Sequence, residues 1–301
     1  MTLVNRGHGD ADALLESAIQ HLVGSTVPRD LGRARALLRD AAAQGQQDAA
    51  TMEIALVANG SGAPADWGHA LRLLEALAPR NDAAARQMAL LQRMTLRDDG
   101  MPATMGPPER LCESPEICRY PGFASAEECA HLAAAAQDLL APAMVAHPVT
   151  GALIAHPIRT SDTAVLGPTR EDLVVQALLR RIAAASGTRT EQGEPLNILR
   201  YAPGQQYRLH SDALPQTRNQ RILTALLYLN DGYGGGATAF PDLELDVAPR
   251  AGDLLLFANT LPDGRPDPVA RHAGLPVTRG TKWVATRWIR ADRYDVWNPV
   301  G

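Results

Sequence analysis

The sequence predicts an α+β chain: an N-terminal α-helical repeat segment, then an antiparallel β domain of jelly-roll or sandwich type with flanking helices. Three observations predict it. Of the 13 Phe, Trp and Tyr residues, 12 lie after residue 119, and only Trp67 precedes it. The first hundred residues are rich in Ala, Leu and Arg, which favour helix. The later part alternates Val/Ile/Thr/Tyr runs with turn residues, which favours strands. Between them, residues 97–110 (RDDGMPATMGPPER) carry two Gly and three Pro, the signature of a linker.

The first half repeats itself with a period of 36. Residues 24–52 match the stretch 36 positions on at Gly24/Gly60, Ser25/Ser61, Pro28/Pro64, Asp30/Asp66, Gly32/Gly68, Ala34/Ala70, Leu37/Leu73, Leu38/Leu74, Ala49/Ala85 and Met52/Met88, with Ala13 one further period upstream. A period of this size with small residues at fixed places means stacked helix pairs. Asp30 and Asp66 stand where an N-cap belongs, before LGRARALLRDAAAQG and WGHALRLLEALAPR. Over roughly residues 10–96 the segment resembles Sel1-like repeats, relatives of the tetratricopeptide solenoid. A docking surface for a protein partner and a helical appendage that binds nothing are both consistent with it.

The second half opens with ICRYPGFASAEECAHLAAAAQDLL, which reads as a strand, a turn, an N-cap at Ser125 and an amphipathic helix. Residues 152–166 read as extended and 170–186 as a second helix. Strand-like runs follow at 195–202, 205–211, 220–230, 236–240, 244–249, 253–258 and 282–290.

Composition narrows the function classes. A net charge of −4 provides no global basic field for nucleic acid or anionic lipid. No apolar run approaches the ~20 residues of a membrane helix. The N-terminus lacks an apolar secretory core, so the expected location is cytoplasmic. Cys112, Cys118 and Cys129 show no pairing pattern and read as reduced thiols. With His131 they match no standard zinc spacing. One lysine, Lys282, stands among 29 basic residues.

The chemistry concentrates in YAPGQQYRLHSD. His210 and Asp212 are two apart, so on a strand they share a face. Such a pair is either a surface contact or two metal ligands. Downstream, the candidate third ligand is His272. Two imidazoles and one carboxylate on one face of a metal leave three positions open, the facial triad of non-haem Fe(II) oxygenases. His131, His147 and His156 lack a partner motif and read as surface or packing residues. Tyr228 and Phe257 lie in apolar runs and read as core. Gly234, Gly235 and Gly236 open no helix, so they read as a hairpin turn and not as a phosphate loop.

Ten residues after His272 stands Lys282, in GTKWVATRWIR. In this order of motifs the chain resembles the prolyl 4-hydroxylase branch of the 2-oxoglutarate/Fe(II) oxygenases. The resemblance covers roughly residues 115–291 and includes QRILTALLYLND at 220–231, GGATAFP at 235–241, PRAGDLLLF at 249–257 and RHAGLPVTRGTKW at 271–283. It implies a double-stranded β-helix (jelly-roll) over a domain of residues 111–295, with Fe(II), 2-oxoglutarate and O2 as the reaction's needs and ascorbate as reductant. It implies that His210, Asp212 and His272 bind iron and that Lys282 pairs with the distal carboxylate of 2-oxoglutarate. Tyr201 occupies a position whose hydroxyl reaches the same carboxylate, Thr238 adds a hydroxyl, and Trp288 matches an aromatic near the pocket. Tyr207 and Arg221 match positions that face the substrate in catalysis, and Arg159-Thr160-Ser161 resembles a segment bordering the substrate groove. Period two also puts Val284, Thr286 and Trp288 on the face of Lys282. A buried ammonium is costly unless paired, and a dicarboxylate supplies the pair.

The family pattern departs at Ala237 and at Ala213-Leu214-Pro215, both near the entrance, and residues 213–220 read as a mobile lid. The expected activity is hydroxylation of a prolyl residue in a peptide or protein. A free amino acid, another peptide residue or a small metabolite would use the same machinery. An interaction scaffold with a vestigial iron site is the reading from another class.

Overall fold

The computed structural model describes residues 6–146 and 153–299. Within them run seven α-helices: α1 (Arg6–Val23), α2 (Leu31–Ala43), α3 (Gln47–Asn59), α4 (Trp67–Leu77), α5 (Asp82–Leu91), α6 (Ala126–Ala136) and α7 (Leu173–Ser186). The chain divides into two compact units. One comprises Met1–Thr104 with Gly167–Arg181, the other Met105–Leu166 with Ile182–Gly301. His147 and residue 152 of the expected extended stretch lie outside the described residues.

In the first unit, α1 to α5 pack each on the next. Both expected caps form: Asp30 Oδ1 accepts from Arg33 N and Asp66 Oδ1 from His69 N, each at 2.8 Å. Each satisfies an otherwise orphaned N–H of its helix. Ala34 and Ala70 are fully buried, as are Leu38 and Leu74. The Ala49/Ala85 identity has no structural counterpart, because Ala49 is buried and Ala85 exposed. The caps explain the slip. Gln46 caps α3 through Ala49 N, and Asn81 caps α5 through Ala84 N, so Ala84 takes the buried place. The 36-residue spacing holds between α2 and α4, but the second helix of the later pair starts one residue sooner.

Residues 167–181 complete this unit. Asp172 accepts from Val174 N and Val175 N, which starts α7 at Leu173, three residues after the expected 170. Gln176 and Arg180 donate to the carbonyls of Ala55 and Ala58, both at 3.0 Å, and Asn59 donates to Pro168 O at 2.9 Å. The Arg180 bond serves the Ala58 carbonyl, one of the last four of α3 that have no partner within the helix. The Arg180 guanidinium also lies 4.5 Å from the Trp67 ring centroid.

The second unit is built from strands. In chain order they are β1 (Glu109–Glu113), β2 (Glu116–Tyr120), β3 (Ala141–Pro142), β4 (Met144–Ala146), β5 (Leu153–Ala155), β6 (Asp162–Leu166), β7 (Leu196–Tyr201), β8 (Tyr207–His210), β9 (Arg221–Tyr228), β10 (Gly234–Gly235), β11 (Thr238–Phe240), β12 (Leu245–Val247), β13 (Leu254–Ala258), β14 (His272–Gly274), β15 (Val277–Arg279) and β16 (Lys282–Arg290). An eight-stranded antiparallel sheet runs in the order β1-β2-β13-β9-β16-β7-β6-β3, and a four-stranded one in the order β12-β11-β14-β8. Two-stranded pairs β10-β15 and β4-β5 accompany them. Each expected run from 195 to 290 contains a strand. The linker stretch 97–110 already holds the start of β1. Strands β10, β14 and β15 are two or three residues long, too short to leave a period in the sequence.

The core is shared by the two sheets. Ile117, Leu199, Tyr228, Leu255, Phe257 and Val284 of the larger sheet cluster with Phe240 and Val247 of the smaller. Phe240 and Phe257 meet edge to face with centroids 5.2 Å apart. Helix α6 begins with the expected cap at Ser125, closed by Glu128 into a capping box. All three cysteines are free thiols, with Cys129 buried on α6 and Cys112 and Cys118 on β1 and β2.

Candidate active site

His210 ends β8 and His272 begins β14, and the antiparallel register sets them directly opposite each other. Asp212 follows two residues after His210. Its Oδ1 lies 3.5 Å from His210 Nε2 and its Oδ2 3.6 Å from His272 Nε2. The three donor atoms lie within 4.8 Å of one another, the one such group of His, Cys, Asp or Glu found among the described residues. Backbone carbonyls orient both rings: His210 Nδ1 meets Arg208 O at 2.8 Å and His272 Nδ1 meets Ala270 O at 3.2 Å. With Nδ1–H donated to a carbonyl, Nε2 keeps its lone pair for a metal.

The electrostatics agree. Burial lowers His272 to a pKa of about 4, so the ring is neutral at pH 7. Burial alone would raise the Asp212 carboxyl, but the two imidazoles and the Thr224 hydroxyl outweigh it and hold the group well below the usual carboxylate range. Thr224 Oγ1 donates to Asp212 Oδ2 at 2.7 Å. Two imidazoles and one ionised carboxylate, converging on one point, are a donor set suited to Fe(II).

These ligands line a cavity with Tyr201, Tyr207, Thr238, Lys282, Val284, Thr286 and Trp288. The inward face of β16 is thus the one that period two predicts. Lys282 is buried, and its Nζ donates to Gly236 O at 2.7 Å. Among the described residues no carboxylate pairs with it, and burial lowers its pKa to about 8. Gly236 has φ +69°, and a Cβ there would stand 3.2 Å from Lys282 Cδ and 3.0 Å from the Tyr233 ring, so glycine keeps its carbonyl within reach of the ammonium. A buried cation without an acidic partner, at a cavity shared with a metal-ligand set, fits a dicarboxylate cosubstrate.

Tyr228 is the residue whose place the sequence undervalues. It is core, as expected, yet its hydroxyl bonds Thr238 Oγ1 at 2.7 Å and the Lys282 ammonium lies 5.6 Å from its ring centroid. The signal was its buried phenol, which needs a partner.

Tyr207 stacks on His210 with centroids 3.5 Å apart, and burial lifts its pKa to about 12. His156 packs edge-on against Tyr207, and the Arg159 guanidinium lies 5.6 Å from the same ring. Arg159, Ser161 and Arg221 are not among the cavity-lining residues. Arg221 stacks 3.9 Å over Trp288, and its fork is held by Glu194 through bonds of 2.6 and 2.8 Å. Arg290 donates to the same Glu194 at 2.6 Å. The expected lid, 213–220, is tied at its ends: Leu214 and Gln220 exchange two bonds, and Asn219 donates to the carbonyls of Asp292 and Arg293. On the cavity side, Trp288 Nε1 and Thr286 Oγ1 are buried with no hydrogen-bond partner among the described residues.

Site and sheets together define a non-haem iron oxygenase. Residues 196–290 match the 2OG-Fe(II) oxygenase superfamily. Prolyl 4-hydroxylase 1 of Arabidopsis thaliana is 36% identical over 202 residues, covering 61% of this chain and 71% of that protein. Probable prolyl 4-hydroxylase 10 of the same plant is 32% identical over 249 residues, covering 72% and 85%. The crystal structure of a viral collagen prolyl hydroxylase from Paramecium Bursaria Chlorella virus-1, as a 2OG complex, overlaps 60% of this chain and 99% of that one, with 27% identity and a TM-score of 0.49. The chain belongs to the prolyl 4-hydroxylase-like 2OG-Fe(II) oxygenase family.

Proposed function

We propose that the chain hydroxylates a prolyl residue in a peptide or protein, with 2-oxoglutarate as cosubstrate, on a double-stranded β-helix. One observation carries this: a His-Asp-His donor set and an ammonium lacking an acidic partner line the same cavity. The names of the plant relatives support the prolyl substrate.

His210, Asp212 and His272 would hold Fe(II). Lys282 would receive the distal carboxylate of 2-oxoglutarate, with the hydroxyls of Tyr201 and Thr238 beside it. When bound, iron and cosubstrate supply O2 activation, yielding succinate and CO2 as oxygen enters a C–H bond. The protein's own residues do the rest. Val284 and Leu199 keep that part of the cavity apolar. Tyr207, fixed against His210, limits how a substrate enters. Trp288, backed by Arg221, offers a flat wall for a pyrrolidine ring, and its indole N–H offers a donor. Arg159 and Ser161 border the approach. These roles amount to orientation and exclusion of water.

Helices α1 to α5 we read as Sel1-like repeats over residues 10–96, a docking surface for a protein partner. The decisive experiment incubates the purified chain with Fe(II), 2-oxoglutarate, O2, ascorbate and proline-rich peptides. Succinate release with a +16 Da peptide product supports the proposal. Turnover of free proline alone would reassign the substrate, and no succinate and no iron binding would sink the oxygenase reading.

A further inference from the structure

We propose that Asn259 is a positioning residue for the metal site: it sets the direction of the Thr224 hydroxyl, so that Thr224 donates to Asp212 and holds that carboxylate in place. The inference rests on His210, Asp212 and His272 being the iron ligands.

Three side chains stand in series, and all are buried: Asp212, Thr224 and Asn259 are 5%, 0% and 1% exposed. Thr224 Oγ1 lies 2.7 Å from Asp212 Oδ2, and Asn259 Nδ2 lies 2.8 Å from Thr224 Oγ1. The polarity of this series is forced. An ionised carboxylate only accepts, and a hydroxyl has one proton. Thr224 spends that proton on Asp212, so it accepts from behind, and an amide N–H is there to donate. A hydroxyl alone would rotate. With a donor fixed at its back, its proton has one direction.

The backbone fixes Asn259 in turn. It follows β13, whose Phe257 pairs in register with Thr224 of β9. Its N–H donates to Ile222 O at 2.8 Å, and its carbonyl accepts from Asp267 N at 3.0 Å. An aspartate at 259 would have nearly the same shape and the opposite polarity. It would draw the Thr224 proton away from Asp212.

The test uses the full chain stripped of metal and titrated with Mn(II), which reports affinity without turnover. Asn259→Leu and Thr224→Val are each expected to weaken Mn(II) binding by about 10- to 100-fold, with the circular dichroism spectrum unchanged. The double variant is expected to bind no more weakly than Thr224→Val alone, because Asn259 acts through that hydroxyl. A residue that merely supports the fold would add its own loss. Should Asn259→Leu fail to fold, the near-isosteric Asn259→Asp decides, and it is expected to weaken binding at least as much. Wild-type affinity retained in the Asn259 variants, or a further loss in the double variant, overturns the inference. Wild-type binding that disappears in Asp212→Ala upholds the ligand reading separately, and no Mn(II) binding by the wild type sinks both.

Discussion

Lys282 stands directly opposite Tyr201 in the β7–β16 register, with its ammonium 5.6 Å from the centroid of that ring. Tyr228 lies at the same distance from the ammonium. The cation therefore rests against two aromatic rings and one carbonyl. Lys282→Ala is expected to raise the 2-oxoglutarate KM by about 10- to 100-fold, the worth of a charge-assisted hydrogen bond. Mn(II) affinity without cosubstrate should barely move. Equal loss of both would make Lys282 a structural residue. Lys282→Arg should also weaken 2-oxoglutarate, because a guanidinium is wider than the ammonium it replaces.

The same ammonium gives a pH dependence. Its pKa is lowered by burial from 10.5 to about 8. Without cosubstrate, the charge is present below that value and lost above it. Affinity for 2-oxoglutarate should be flat below pH 8 and then fall by about tenfold per pH unit. Stability runs the other way: the cost of burying the charge fades between pH 8 and 10.5, so the metal-free chain should gain stability there. Calorimetric titration from pH 7 to 9.5 checks the first, and an affinity unchanged at pH 9.5 would refute it.

Asp212→Ala should lower Mn(II) affinity by more than about 100-fold, since it removes the carboxylate of the donor set and leaves two imidazoles. The fold should persist, with its thermal midpoint no longer raised by added Mn(II). A preserved metal-induced shift would mean that the ion binds elsewhere.

Glu194→Gln should destabilise the chain by about 3–5 kcal/mol, because one neutral acceptor would then face two guanidiniums withdrawn from water. Denaturant unfolding measures it. A change below about 1 kcal/mol would show that Arg221 and Arg290 find other partners.

In the helical unit, Asp30→Ala and Asp66→Ala should each cost about 1 kcal/mol, the usual worth of an N-cap. The two losses should add, since the caps belong to different helices.

Local rules made much of this legible. Side-chain alternation placed Lys282, Val284, Thr286 and Trp288 on one face, and all four line the cavity. Capping chemistry located the starts of α2, α4 and α6 to the residue. Features made by distant contacts were not legible. Glu194 lies 27 residues from Arg221 and 96 from Arg290, with nothing in the sequence to join them. His272 was legible only as the one histidine downstream of Asp212 and through the order of motifs, because β14 is too short to show a period. The one-residue slip between repeats stayed hidden because identities count sequence positions, whereas burial follows the caps.

Helix α7 has a consequence for how this chain can be divided. Gly167–Arg181 belong with the N-terminal helices, while the residues on either side belong with the sheets. A cleavage in residues 97–110 would therefore strand Gln176 and Arg180 on one fragment and the α3 carbonyls they serve on the other. The cut fragment would expose the apolar Val174, Leu178 and their neighbours, which are fully buried in the intact chain. The proline-rich stretch looks like a seam in the sequence, yet the chain crosses back over it. The helical segment is a part this enzyme cannot shed cleanly, whatever else it binds.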